Sequence, residues 1–241
     1  MMARKRGANM TSNLPVRAHV ATAHGAGAKA FATSGTWFTG LERSWILAEI
    51  RHARAGLCAL CNARKAALSP YAEDGEHDTV TPLPPQVVEV VHRLSTDSGR
   101  VTQQWFSQVT SGELSAPAYV EIVGLIGMAM ILDSFAAGIG AAPFALDDQP
   151  EETPPSRVVN PEVVDAGAWV PILRVDQAGL TPGQPSVPNI ARSMGLVPLA
   201  VQQFFGVMRA HYNLLDFETS LQRAQIELIA SRMSAYNDCF Y

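Results

Sequence analysis

Apolar positions recur three and four residues apart through most of this chain, the spacing of helices that bury one stripe. Leu41, Trp45, Ile46, Ile50 and Ala53 follow it, which predicts a helix from Gly40 to Ala55 that Gly56 ends. A shorter helix follows from Ala63, stopped by Ser69-Pro70. After the polar run Glu73 to Asp78, read as a loop with His77 in solvent, Pro84-Pro85 opens a helix carrying Val87, Val88, Val91 and Leu94 on one face. Another helix is expected from about Arg100 to Thr110. A longer one, Ala118 to Ala137, begins beside Pro117 and is apolar nearly all round, so it is expected to be central and buried. Gly124 and Gly127 on it invite a neighbouring helix to approach closely. Glu121 and Asp133 interrupt it and read as residues near its ends that meet solvent.

The pattern stops at Pro143. Nine of the sixteen prolines fall between Pro143 and Pro188, which marks a linker too long for an ordinary loop. Its one apolar patch, Trp169 to Leu173, is expected to dock on a neighbouring surface. Helical spacing returns after Asn189, in Leu199 to Tyr212 and in an amphipathic segment from Leu221 that runs into Cys239. The fold class is therefore all-α: a disordered tail over 1–38, a helical domain over 39–142, a Pro-rich linker over 143–187 and a second helical unit over 188–241.

Composition narrows the function. A net charge of −4, with no basic stripe bearing aromatics, excludes the usual footprint of a nucleic-acid partner. The longest apolar run, Ile122 to Leu132, falls short of the roughly 20 residues of a membrane span, so no membrane partner is expected. Arg4-Lys5-Arg6 is followed by no apolar segment, which excludes a secretory signal. Three cysteines are too few for a secreted disulfide framework and point to the reducing cytoplasm.

The candidate chemistry is Cys58-x-x-Cys61. Placed at a helix N-terminus, a thiol meets unpaired N–H groups and the positive end of the helix dipole, which lowers its pKa from about 8.5 toward about 3.5–7.5. Lys65, at i+4 from Cys61, adds a cation on the same face. Two other readings stand beside the redox one: a pair of buried apolar cysteines, and a zinc site completed by ligands such as His77 or Cys239. No second C-x-x-C or H-x-x-x-H is present to favour zinc, so no metal and no cofactor are expected.

The approaches to the cysteines echo one another: Leu41-x-Arg43-x-x-Ile46 precedes Cys58, and Leu221-x-Arg223-x-x-Ile226 precedes Cys239. Glu227 stands twelve residues before Cys239. This tail resembles the AhpD-like (alkyl hydroperoxidase D) family, which shares its fold with the carboxymuconolactone decarboxylases. That motif sets a Glu twelve residues before the first Cys of C-x-x-C and a His four after the second. The first copy has both cysteines but carries Lys65 in place of the His, and Glu49 only nine residues before Cys58. The run from Val87 to Gly140 resembles the helices that follow the motif.

The resemblance implies an AhpD-like helical bundle of two related units, forming a homo-oligomer. It implies a peroxidase-type oxidoreductase with an antioxidant role that takes a peroxide and a dithiol electron donor protein. Cys61 would attack, Cys58 would resolve, Lys65 would stabilise the thiolate, and Glu227 and Cys239 would serve the second copy. Glu227 also has Arg223 as an i−4 partner, and a non-catalytic scaffold or redox sensor is the alternative. The layout further resembles alkylhydroperoxidase-related selenoproteins, where selenocysteine takes the second position through a UGA codon. The expectation is that the sequence is a truncated reading that halts at that codon after Tyr241.

Overall fold

A computed structural model describes residues 14–175, 187–212 and 220–236. The described chain is all-α. Its helices are α1 (Ala18–Ala30), α2 (Gly40–Arg54), α3 (Ala59–Ala66), α4 (Pro85–Asp97), α5 (Gln103–Val109), α6 (Ala116–Gly138), α7 (Asn189–Met194), α8 (Pro198–His211) and α9 (Arg223–Tyr236). One antiparallel pair, β1 (Val163–Val164) and β2 (Ile172–Leu173), interrupts the helical pattern.

Local chemistry sets the helix ends. Thr39 and Glu42 form a reciprocal capping box at the start of α2. Ser115 caps α6, with Pro117 in its first turn. At the end of α2, Gly56 adopts φ +73°, open to glycine at little cost. Its N–H reaches Ala53 O and that of Leu57 reaches His52 O, a Schellman turn that delivers the chain directly to Cys58.

α6 is the centre, as its uniform apolarity requires. It packs against α8, α2, α4, α1 and α7. Close approach depends on its glycines: a Cβ at Gly127 would lie 2.7 Å from the Phe204 ring, and one at Gly124 would lie 3.2 Å from Ala200 Cβ. Among the described residues α6 is the helix long and apolar enough to cross a membrane, longer than its apolar run alone suggests. Burial of Ile122, Leu125, Met128 and Leu132 accounts for that composition.

Two expectations change. The segment 1–38 is not a disordered tail throughout: α1 buries Val20, Gly27 and Ala30, and Phe31 follows at 1% exposure. Small residues make this contact, and a Cβ at Gly27 would meet Val207 at 2.7 Å, so a scan for large apolar residues passes over it. Met194, Val197, Ala200 and Val207, from beyond the Pro-rich segment, join the same hydrophobic cluster as α2, α4 and α6. The Pro-rich segment lies against the body, with Val170 buried and Trp169 stacked on Phe106 at 5.8 Å, as its apolar patch predicts. The carboxylates of α6 do not simply meet solvent. Glu121, 2% exposed, accepts the N–H groups of Thr36 and Trp37 and pairs with Arg43 at 3.5 Å; Asp133 binds Arg51 in two hydrogen bonds.

Arg43→Met strands the Glu121 charge in the core and should cost about 3–5 kcal/mol in urea unfolding. Adding Glu121→Gln should recover part of that loss, and equal or greater destabilisation in the double variant would contradict the pairing. A second outcome concerns acid. His24 Nε2 and His211 Nε2 lie 2.6 Å apart where α1 meets α8, with Phe135 against both rings. Burial lowers both pKa values from 6.5. The neighbouring His211 lowers His24 further, and Arg17 and His19 lower His211. The unfolded chain then takes up protons that the fold refuses, so stability falls as pH drops below about 6.5. His24→Phe should flatten that acid slope in thermal melts; an unchanged slope would place the protons elsewhere.

Candidate functional site

The Schellman turn after α2 hands Cys58 to the N-cap of α3, with Cys61 in its first turn. The expected placement of the pair at a helix N-terminus is therefore found. Both thiols are buried, Cys58 at 0% and Cys61 at 3% exposure. Polar contacts hold α3 at both ends. Asp78 accepts the Ala59 N–H at 2.7 Å, and Arg100 donates to the carbonyls of Arg64 and Ala67.

Two histidines complete the site. Cys58 Sγ lies 3.3 Å and Cys61 Sγ 3.6 Å from His77 Nδ1, and Cys61 Sγ also lies 3.5 Å from His92 Nδ1. The imidazole rings meet edge to face at 4.6 Å. Each turns its other nitrogen to a carboxylate: His77 Nε2 to Glu89 at 2.7 Å, and His92 Nε2 to Glu49 at 2.8 Å. Glu49 is itself fully buried. It accepts the Thr79 and Thr81 hydroxyls and the Val80 N–H, so α2 fastens the 79–81 loop as well as α4. Glu89 accepts from Arg64 and from Trp105 Nε1.

These contacts set the charges. Burial opposes a charged His77, but its bonds to Cys61, Glu89 and Cys58 outweigh that and push its pKa up to about 10. Burial likewise opposes the Glu89 carboxylate, but His77, Arg64 and Trp105 pull it down to about 2. The Cys58 thiol is raised by burial and lowered more by the Cys61 N–H, His77, the Cys61 side chain and the Asp78 N–H; the net direction is down. His92 is lowered, burial prevailing over its bond to Glu49. At neutral pH the site thus holds a protonated His77 between Glu89 and a thiol of enhanced acidity. A cavity of about 500 Å³ reaches this site from the side of His77 and Glu89, with Leu83, Val88 and Val109 on its apolar walls.

The sequence-derived residues separate. Cys58 and Cys61 come together. Lys65 is exposed on α3, and it is Arg64 that turns inward. Glu227 lies on α9, accepting a hydrogen bond from Tyr212 and pairing with Arg223 at i−4. Cys239 and the chain end at Tyr241 lie outside the described residues. The reading of His77 as a solvated loop residue is overturned: its side chain is 8% exposed, because Glu89 and the thiols fix it. His92 was missed, and Glu49 was named only for its spacing before Cys58. Their signal was present, since each is a polar residue on the apolar face of its helix, beside Val88 and Ile46 respectively.

Comparison of the chain with protein-family models, with curated proteins and with solved structures finds no match. What can be said of its chemistry follows from these side chains.

Glu89→Gln removes one of the charges that keep His77 protonated, so the Cys58 pKa should rise. Alkylation of the reduced, metal-free protein by iodoacetamide at about pH 6 should slow, with its pH profile displaced upward. An unmoved profile would show that Glu89 does not set the acidity of the thiol.

Proposed function

We propose that Cys58 and Cys61 form a dithiol redox centre that reduces peroxides, in a helical bundle of the AhpD-like type. The observation carrying this reading is that both thiols touch imidazole nitrogens whose opposite faces are held by carboxylates, Glu89 behind His77 and Glu49 behind His92. The histidine four residues after the second cysteine is replaced by Lys65, yet His92 comes from α4 to the same thiol. Glu49, nine residues before Cys58, holds it there.

Cys61, in contact with both imidazoles, is the attacking group. Its thiolate attacks the distal peroxide oxygen: the S–O bond forms, the O–O bond breaks, and the leaving alkoxide takes a proton to become the alcohol. A protonated imidazole beside the sulfur supplies that proton. Cys58, whose acidity favours the thiolate, then attacks the Cys61 sulfenic acid. The disulfide forms and water leaves with one further proton. An external dithiol donor protein returns two electrons and two protons by thiol–disulfide exchange. The cavity beside His77 and Glu89 favours a peroxide with an apolar group, admitted as the 73–81 loop yields.

The same reading takes the helices over 39–142 and those over 188–241 as two related units that share one hydrophobic core. It takes the reducing cytoplasm as the setting. Leu228, Ile229 and Met233, exposed on α9, support a homo-oligomer.

The test is peroxide consumption by metal-free protein with a dithiol donor. Cys61→Ser should abolish turnover, Cys58→Ser should leave a sulfenic acid on Cys61 that dimedone traps, and His92→Gln should slow turnover about 10²–10⁴-fold. Turnover unaffected by Cys61→Ser would remove the site from the reaction. No turnover in the wild type would leave the non-catalytic scaffold or sensor.

A further inference from the structure

The thiols and imidazoles form a closed figure as well as two relays. Cys58 Sγ, Cys61 Sγ, His77 Nδ1 and His92 Nδ1 all lie within 4.8 Å of one another. A tetrahedral zinc ion, with Zn–S of about 2.3 Å and Zn–N of about 2.0–2.1 Å, needs S···N edges of about 3.5 Å. Three of the four sulfur–nitrogen edges here measure 3.3, 3.6 and 3.5 Å, and the fourth, from Cys58 to His92, lies within the 4.8 Å span. We propose that, in the reduced protein, these four atoms bind one zinc-class divalent cation, which masks the dithiol until a peroxide oxidises it.

The surroundings fit such an ion in three respects. Each histidine gives its Nε2–H to a carboxylate, which turns Nδ1 inward and raises its basicity, the outer-shell arrangement common at zinc; the ion displaces the Nδ1 proton of His77 as it binds. Two sulfurs and two nitrogens match zinc's preference over harder oxygen-seeking cations. All four ligand side chains are at most 8% exposed, so the site is closed rather than open to a catalytic water. The neighbourhood also needs a fastening. Cys58, Leu60 and Cys61 form a small cluster apart from the main core, while Leu57 and Leu68 at either side are exposed. Little apolar packing therefore holds α3 to the body. A cation bound by α3, the 73–81 loop and α4 would join all three.

Release rests on the peroxide chemistry proposed above; metal binding does not. Each thiolate gives up one electron, the Cys58–Cys61 S–S bond forms, both zinc–sulfur bonds break, and the ion departs as Zn²⁺. The hydroperoxide accepts the two electrons with two protons, yielding the alcohol and water. Two histidines alone make a poor zinc site, so the disulfide form is metal-free.

The deciding experiment titrates the reduced, metal-stripped chain with Co²⁺ and then displaces it with Zn²⁺. Expected are one equivalent bound, tetrahedral d–d bands, and thiolate-to-cobalt charge transfer with the intensity of two sulfurs. Glu49→Gln and Glu89→Gln should each weaken Zn²⁺ binding about 10–100-fold, and His92→Ala more. Should a variant not fold, the wild-type spectrum decides alone. Absence of stoichiometric binding, an octahedral spectrum without thiolate charge transfer, or folded variants that bind as well as the wild type would overturn the proposal. Added hydroperoxide should release the zinc, and a dithiol donor should restore binding; zinc retained while the metal-free protein consumes peroxide would overturn the release step. Turnover is scored separately: tetrahedral binding without turnover removes the redox reading alone, and turnover without binding removes this one.

Discussion

A single buried carboxylate governs how three parts of this chain meet. Glu49 sits at 0% exposure on α2, where an uncompensated charge would cost several kcal/mol. Its compensation comes from Thr79, Val80 and Thr81 on one side and from His92 on the other. The 79–81 loop is therefore drawn against α2, and that loop carries His77 two residues earlier. His92 is drawn the same way from α4. The thiols inherit both imidazoles because one carboxylate had to be satisfied.

Helix positions were legible in the chain to within a few residues because burial acts there through large apolar side chains at regular spacing. Gly56, Pro117, Gly124 and Gly127 stated their roles openly, each being a residue type with a narrow structural use. α1 was not legible because its contacts are made by Gly27 and Ala30 rather than by bulky residues. The dithiol announced itself by spacing. Spacing did not tie its partners to it, since His77, His92, Glu49 and Glu89 are brought together from three separate segments. A local motif records neighbours in sequence; this site is assembled across the tertiary structure. Lys65 shows the opposite error. Helical spacing put it on the face of Cys61, yet the cation that packs inward is Arg64, held by Glu89 and the Glu73 carbonyl.

The redox and metal readings use the same atoms in different states. Protonated imidazole beside thiolate suits peroxide chemistry; neutral imidazole beside thiolate suits a cation. The carboxylates serve both, holding an imidazolium in one and sharpening a lone pair in the other. Burial bears on them unequally. It favours a closed ion site outright, while it obliges a peroxide to wait for the loop beside His77 to open.

The contact between α1 and α8 has a consequence for the order in which the molecule is made. His24 and His211 are 187 positions apart, and Gly27 receives Val207 across a similar separation. On the ribosome, α1 and much of α6 are synthesised well before α8 emerges to cover them. Their apolar surfaces must wait through that interval, and closing so long a loop is slow. The chain is thus most exposed to misassociation during synthesis, and a chaperone that holds the α1–α6 surface would act before the last helices arrive.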